Sequence, residues 1–138
     1  MPILVSSSVQ DTAASDLVDN LNGNLGSIGV LEFFDGILPA SCADPDDGNM
    51  LCSCALSNPA LNAASGNNFT LNTVSTGTVV ADGTVTYWRM KSGGGTVHCQ
   101  GSAGTGVLDN IVFNNDSWTI GNSVDVDTFD VTLVVGGP

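Results

Sequence analysis

Positive charge is almost missing from this sequence. Two Lys and Arg residues stand against fourteen Asp and Glu, for a formal net charge of −12. Gripping a nucleic-acid backbone requires Lys and Arg to displace condensed counterions, and only Arg89 and Lys91 are there to do it. Nucleic acid is therefore excluded as a partner, and the same shortage argues against adsorption to an anionic membrane. Histidine is as scarce, with His98 standing alone. A hydrolase triad or a phosphoryl clamp would consume nearly the whole stock of His, Arg and Lys. The expectation is a protein with no catalytic residues and no bound cofactor or metal. Long apolar runs are also lacking, and none approaches the roughly 20 residues that cross a bilayer. The opening MPILVSSSVQ has no basic stretch ahead of its four apolar residues. It predicts no secretory signal, hence synthesis in a host cytoplasm that keeps thiols reduced.

What the chain does contain points to strands. Val, Leu, Ile and Thr alternate with Gly, Asn, Asp and Ser over 138 residues, the usual size of one domain. In residues 8–21, Val9, Ala13, Leu17 and Leu21 recur every fourth position, with Ala14 and Val18 beside them, and predict a short helix ended by Asn22-Gly23. Residues 1–28 thus read as an N-terminal arm and helix, and residues 29–138 as a β-domain. Within it, residues 30–34 run to the turn pair Asp35-Gly36, followed by a loop rich in Pro, Asp and Gly. Residues 50–57 alternate, with Met50, Cys52, Cys54 and Leu56 on one face. Residues 69–74, 84–91, 96–100, 107–113 and 124–135 complete about eight short strands, and Ser92-Gly93-Gly94-Gly95 marks a hairpin turn. In the last segment the apolar parity changes near Asp127-Thr128, which predicts a bulge. The pattern is that of an all-β, antiparallel sandwich or barrel-like domain with a short N-terminal helix.

Few residues carry chemistry. SGGGT, at 92–96, lacks the Lys and the helix of a phosphate loop and reads as a turn. Cys52, Cys54, His98 and Cys99 contain zinc-ligand types, but His98 and Cys99 are neighbours in a strand and face opposite sides. Disulfides are a stronger option, either Cys42 with Cys52 or Cys54 with Cys99, and the spacing does not choose between them. Asp44, Asp46, Asp47 and Gly48 resemble the opening of a calcium loop, yet Ala55 stands where a bidentate Glu is needed, so a solvated turn is favoured. Asp125, Asp127 and Asp130 alternate with apolar residues as on an exposed strand face. Two glycosylation sequons, at Asn68 and Asn115, carry no weight without a secretory signal. Arg89 shares its strand face with Val85 and Tyr87, and reads as a structural ion pair or cation–π contact. Anchoring a neighbouring subunit is its alternative role.

Two stretches carry a resemblance. LEFFDGILPAS, at 31–41, combines a strand, an Asp-Gly turn and a Pro-Ala segment. From Leu51 the order LCSCALSNPALNAASGN, GTVTYWRMKSGGGTVHCQGSAGTG and SVDVDTFDVTLVV brings an alanine-rich loop, a strand opening at Gly83-Thr84 and reaching Trp88 and Arg89, a hairpin into Gly101, Ser102 and Gly104, and an alternating final strand. In order and spacing this is similar to small structural proteins of tailed bacteriophages and prophages, over residues 30–135. The resemblance implies a virion protein that decorates or cements the outside of the capsid. Its partners would be the major capsid protein and copies of itself, as a homo-oligomer on the particle. The contact surface is expected to include Val9 and Leu17 with the aromatic strand residues Tyr87, Trp88 and Arg89. Cys42, Cys52, Cys54 and Cys99 and the acidic loop depart from the pattern. A tail or fibre module that binds host glycans through Trp118, which follows Asn114-Asn115-Asp116, is the alternative, and a polysaccharide hydrolase the weakest reading.

Overall fold

Ser6 starts the first element: its backbone is extended and its Oγ accepts the Val9 amide, capping helix α1 (Ser7–Leu25). The computed structural model describes residues 6–62, 68–106, 111–126 and 130–132. Helix α1 runs past the expected stop at Asn22-Gly23 and ends at Gly26, whose φ of 66° lies in the left-handed region that suits glycine. Asn22 is engaged elsewhere: its amide donates to the Leu61 carbonyl at 3.0 Å and accepts the Leu61 amide at 2.9 Å. The buried face is Ala14, Val18, Leu21 and Leu25, while Val9 is 52% exposed and Leu17 only half-buried. A strict four-residue spacing drifts by about 40° per step around a helix of 3.6 residues per turn. The expected stripe therefore winds off the core, and the mixed three-and-four spacing wins. No helix among the described residues is long and apolar enough to cross a membrane.

Eleven strands follow among the described residues: β1 (Val30–Phe34), β2 (Met50–Ala55), β3 (Asn68–Thr70), β4 (Gly77–Thr78), β5 (Gly83–Thr84), β6 (Tyr87–Lys91), β7 (Val97–Gly104), β8 (Ile111–Val112), β9 (Ser117–Trp118), β10 (Ser123–Val124) and β11 (Asp130–Thr132). The fold is largely β with one helix. Its main sheet has the order β2-β1-β6-β7-β8, and β4 with β10, β3 with β11 and β5 with β9 form two-stranded ribbons. The main sheet curls into a half-barrel and is mixed, because β8 runs parallel to β7. A purely antiparallel domain was the expectation, and this last strand departs from it.

Two further differences have local causes. Residues 84–91 do not form one strand: the Val85 amide bonds to Asp116 beside β9, and the Thr86 amide bonds to Phe34 in β1. The chain turns a corner between two sheets there. Gly101, Ser102 and Gly104 belong to β7 and not to a loop, since Trp88 and Tyr87 pair with Gly101 and Ser102. The turn at residues 92–95 closes as expected, with Ser92 donating to Thr96 at 3.0 Å and Gly95 to Ser92 at 2.9 Å. The parity change near Asp127-Thr128, and Phe129, Leu133 and Val135 of the final alternation, lie outside the described residues.

The main sheet has two unlike faces. Leu31, Phe33, Cys52, Cys54, Trp88 and Met90 join Val18, Leu21 and Leu25 of the helix in one apolar core. Each large side chain fully buried there contributes about 1.5–3 kcal/mol. Edge-to-face contacts of Phe33 with Phe113 and Trp118, at 5.5 Å each, extend this core toward the far ribbons. The opposite face holds Glu32, Phe34, Tyr87, Arg89, Lys91 and Gln100. Register aligns Glu32, Arg89 and Gln100 across three adjacent strands. One segment folds over that polar and aromatic face.

Candidate functional site

That segment, residues 35–49, joins β1 to β2. Its neck is closed by backbone and carboxylate together: Asp35 donates to the Asn49 carbonyl at 3.2 Å, and the Asn49 amide donates to Asp35 Oδ1 at 2.6 Å. Just inside, the Ile37 amide donates to Asp47 Oδ2 at 2.6 Å. Gly48 has φ +77°, and a Cβ on it would lie 2.5 Å from Asp35 Oδ1 and from the Gly36 amide nitrogen. The two arms of the neck can approach only because that position has no side chain. The result is a compact Ω-loop with its ends together.

A brace from the sheet holds the body of the loop. Arg89 is 1% exposed and makes four hydrogen bonds. Its Nη1 donates to the Asp44 carbonyl at 2.9 Å and to Asp46 Oδ1 at 2.8 Å, its Nη2 to the Ser41 carbonyl at 3.2 Å, and its Nε to Gln100 Oε1 at 3.0 Å. Gln100 passes the contact on, donating from Nε2 to the Pro39 carbonyl at 2.8 Å. The Tyr87 hydroxyl donates to the Asp47 carbonyl at 2.7 Å and accepts the Asp47 amide at 2.8 Å. Burial pushes the Tyr87 phenol up, so it keeps its proton for that bond. Lys91 bridges Glu32 and Asp46 at 2.7 Å each and sits 5.2 Å over the Phe34 ring, which stacks on Tyr87. Guanidinium geometry suits this work: a planar fork reaches several carbonyls and a carboxylate at once.

The brace sets a pH window. Burial alone would raise the Asp46 carboxyl, but hydrogen bonds from Lys91 and Arg89 outweigh it and hold the group below its ordinary 3.8. A group lowered by folding stabilises above its unfolded value and loses that contribution as pH falls through the folded one. Lys91 works in the opposite sense. Burial would lower it, yet Asp46 and Glu32 hold it above 10.5, so its contribution is complete below that value and lost as pH rises through the folded one. Amide exchange across residues 37–47, followed by mass spectrometry, is therefore expected to stay slow from neutral pH down to about 4 and to rise, after correction for intrinsic rates, below it. Unchanged protection at pH 2 would show that the Asp46 pair does not hold the loop.

So held, the loop presents an apolar shoulder beside its neck. Ile37 is 80% exposed and Leu38 40%. With Pro39 they line one side of a shallow hollow of about 390 Å³ whose other wall is Asp44, Pro45 and Asp47. The Asp44, Asp46 and Asp47 carboxylates, which resemble the opening of a calcium loop in sequence, do not converge here. Asp44 Oδ2 caps the Ser41 amide at 3.1 Å, while Asp46 and Asp47 serve the brace and the neck. Among the described residues, no three His, Cys, Asp or Glu side chains group to hold a metal ion.

No family model, curated protein or solved structure matches this chain.

The structure moves several of the residues singled out from sequence. Tyr87, Trp88 and Arg89 were expected at an interface, and all three are buried within the chain. Tyr87 and Arg89 face the Ω-loop and Trp88 faces the core, so none is presented to a neighbour. The structural ion pair expected of Arg89 is present, whereas the cation–π contact belongs to Lys91. Val9 remains exposed at the first turns of α1. The four cysteines are free thiols. Cys52 and Cys54 lie with their Sγ atoms 3.9 Å apart beneath Gly77, and hydrogen bonding between them, then burial, pushes the Cys54 thiol up. Burial, with the Cys42 charge nearby, pushes Cys99 up to about 11. The neighbours are thus Cys52 with Cys54 and Cys42 with Cys99, neither of the pairings weighed from spacing. Trp118 is 7% exposed, its Nε1 donating to the Asn115 carbonyl at 2.9 Å, and it is no open platform. Asp125 accepts the Thr76 hydroxyl, while Asp127 and the side chain of Asp130 lie outside the described residues. Sequence reasoning missed Gln100 and the carbonyls of Pro39, Ser41 and Asp44. Only the parity shared by Tyr87, Arg89 and Lys91 hinted at them.

Proposed function

We propose that this protein is a non-catalytic adhesive component of a bacteriophage particle, a decoration or cement protein bound to the outer face of the capsid shell. The observation that carries the reading is the braced Ω-loop with Ile37 and Leu38 exposed beside its neck. A loop ordered before binding avoids the conformational cost of ordering on contact. The acidic surroundings complement a partner surface whose apolar patch is rimmed by Lys and Arg. Both cations of this chain are engaged inside the brace, so a second copy offers no such rim, and the shell protein is the better partner for this loop. Self-association on the particle would use other surfaces, with exposed Val9 and the neighbouring Leu17 among them. The phage placement rests on the resemblance of residues 30–135. Its most distinctive segment, LEFFDGILPAS, is β1 and the first half of the braced loop. In the same reading the curled main sheet and the ribbons close on one another as a β-sandwich.

Copy number per particle tests the reading. Quantitative mass spectrometry of purified virions is expected to count hundreds of copies, as a shell lattice requires, and a handful would place the protein in the tail. The loop is tested by Ile37→Asp with Leu38→Asp. Both side chains are exposed, so stability is expected to stay within about 0.5 kcal/mol of wild type. Affinity for particles stripped of the protein is expected to fall at least about tenfold. Wild-type occupancy by that double variant would remove the loop from the contact.

A further inference from the structure

A second concave site shares no lining residue with the hollow of the braced loop. The segments joining β8, β9 and β10 enclose an open groove of about 400 Å³, lined by Phe113, Asn114, Asn115, Trp118, Asn122 and Asp125 among others. That volume lies within the range of small-ligand sites, about 300–1,000 Å³. Its polar groups are held at one end and open at the other. Asn115 Oδ1 accepts the Ser117 amide at 3.0 Å, which leaves its Nδ2 without a partner among the described residues. Asn122 Oδ1 accepts the Thr119 amide at 3.0 Å and likewise leaves Nδ2 open. Asp125 Oδ1 takes the Thr76 hydroxyl, leaving Oδ2. The exposed Asn114 side-chain amide makes no hydrogen bond among the described residues. Half-buried Phe113 packs edge-on against Trp118 at 5.0 Å and supplies an apolar wall.

We propose that this groove binds a neutral carbohydrate. Three amide donors and a carboxylate acceptor around an apolar wall match a ring that carries hydroxyls at its rim and C–H bonds on its face. Charge narrows the class. The groove is lined by no cation, both Arg89 and Lys91 being held in the brace, and Asp125 repels anions, so phosphorylated and acidic sugars are rejected. Among the described lining residues a bare metal ion would find a single carboxylate, too few for a site. The proposal stands apart from the particle reading, since a shell or a tail protein could equally carry it.

The test is titration of the full chain, ¹⁵N-labelled, with glucose, galactose, N-acetylglucosamine, maltose, cellobiose and lactose, and with glucuronate as the acidic counterpart. At least one neutral sugar is expected to shift the side-chain amide signals of Asn114, Asn115 and Asn122 and to alter Trp118 fluorescence, while glucuronate does not. Asn114→Ala removes a donor that bonds to nothing among the described residues, and is expected to weaken that binding about fivefold or more. Asp125→Asn is expected to weaken it similarly and to narrow the gap between glucose and glucuronate. The proposal is overturned if no neutral sugar moves those signals, if the shifts map elsewhere, if glucuronate binds as well as the best neutral sugar, or if both variants bind as wild type does.

Discussion

Arg89→Met is expected to destabilise the protein by about 3–5 kcal/mol, read as a lowered urea midpoint with little change in slope. Methionine fills much of the same volume, so the loss is one of bonds and not of space. The substitution strips Asp46 of one of its two cations and leaves the carbonyls of Ser41 and Asp44 and the Gln100 oxygen without their donor. Buried acceptors left unsatisfied cost about 1–3 kcal/mol each, which makes the upper part of the range reasonable. Domains of this size are stable by about 5–15 kcal/mol, so the variant survives with a thin margin. Limited proteolysis adds the spatial information: cleavage within residues 37–47 is expected to accelerate before the sheet opens. Arg89→Lys keeps the charge but lacks the fork that reaches several acceptors, and is expected to fall between wild type and Met. Equal stability of Met and wild type would remove the brace from the account.

Gly48→Ala is expected to be almost as damaging, at about 3 kcal/mol. Two costs add at this residue. Its φ of +77° is strained for any L side chain, and the new Cβ would press on Asp35 Oδ1 and the Gly36 amide, both part of the neck. Relief requires the two arms to part, which also breaks the Asn49-to-Asp35 bond. Gly94→Ala provides the comparison. It has ordinary φ and nothing within 4 Å of its would-be Cβ, so thermal unfolding of that variant is expected to match wild type within about 0.5 kcal/mol. Similar melting curves for the two alanine variants would mean that the neck tolerates opening.

Local chemistry made part of this legible in advance. Strands β1 and β2, the residue 92–95 turn and the inward-facing Cys52 and Cys54 follow from alternation and turn residues. Long-range bonding hid the rest. ILPASCADPDDGN reads as solvated turn material because its Pro, Asp and Gly residues favour turns, and its order comes from Arg89 and Gln100 far along the chain. The corner at Val85 and Thr86 is invisible to periodicity, since both residues suit a strand and only their different partners separate them. Helix α1 was found but turned, because Val9 to Leu21 looks regular at a spacing the helix does not have. Trp118 invited a surface reading from its polar neighbours. Its burial against Phe33 and Phe113 depends on β1 and on the residue just after β8, and the groove above it is shaped by asparagines that alone suggest nothing but turns.

The distance along the chain between the loop and its support has a temporal consequence. The guanidinium that fixes the Asp44 carbonyl arrives 45 residues later in the chain, from the third strand of the sheet to be made. A chain made only as far as residue 88 therefore lacks the donor for the Ser41 and Asp44 carbonyls, and the loop takes its shape only after its own strand neighbours are complete.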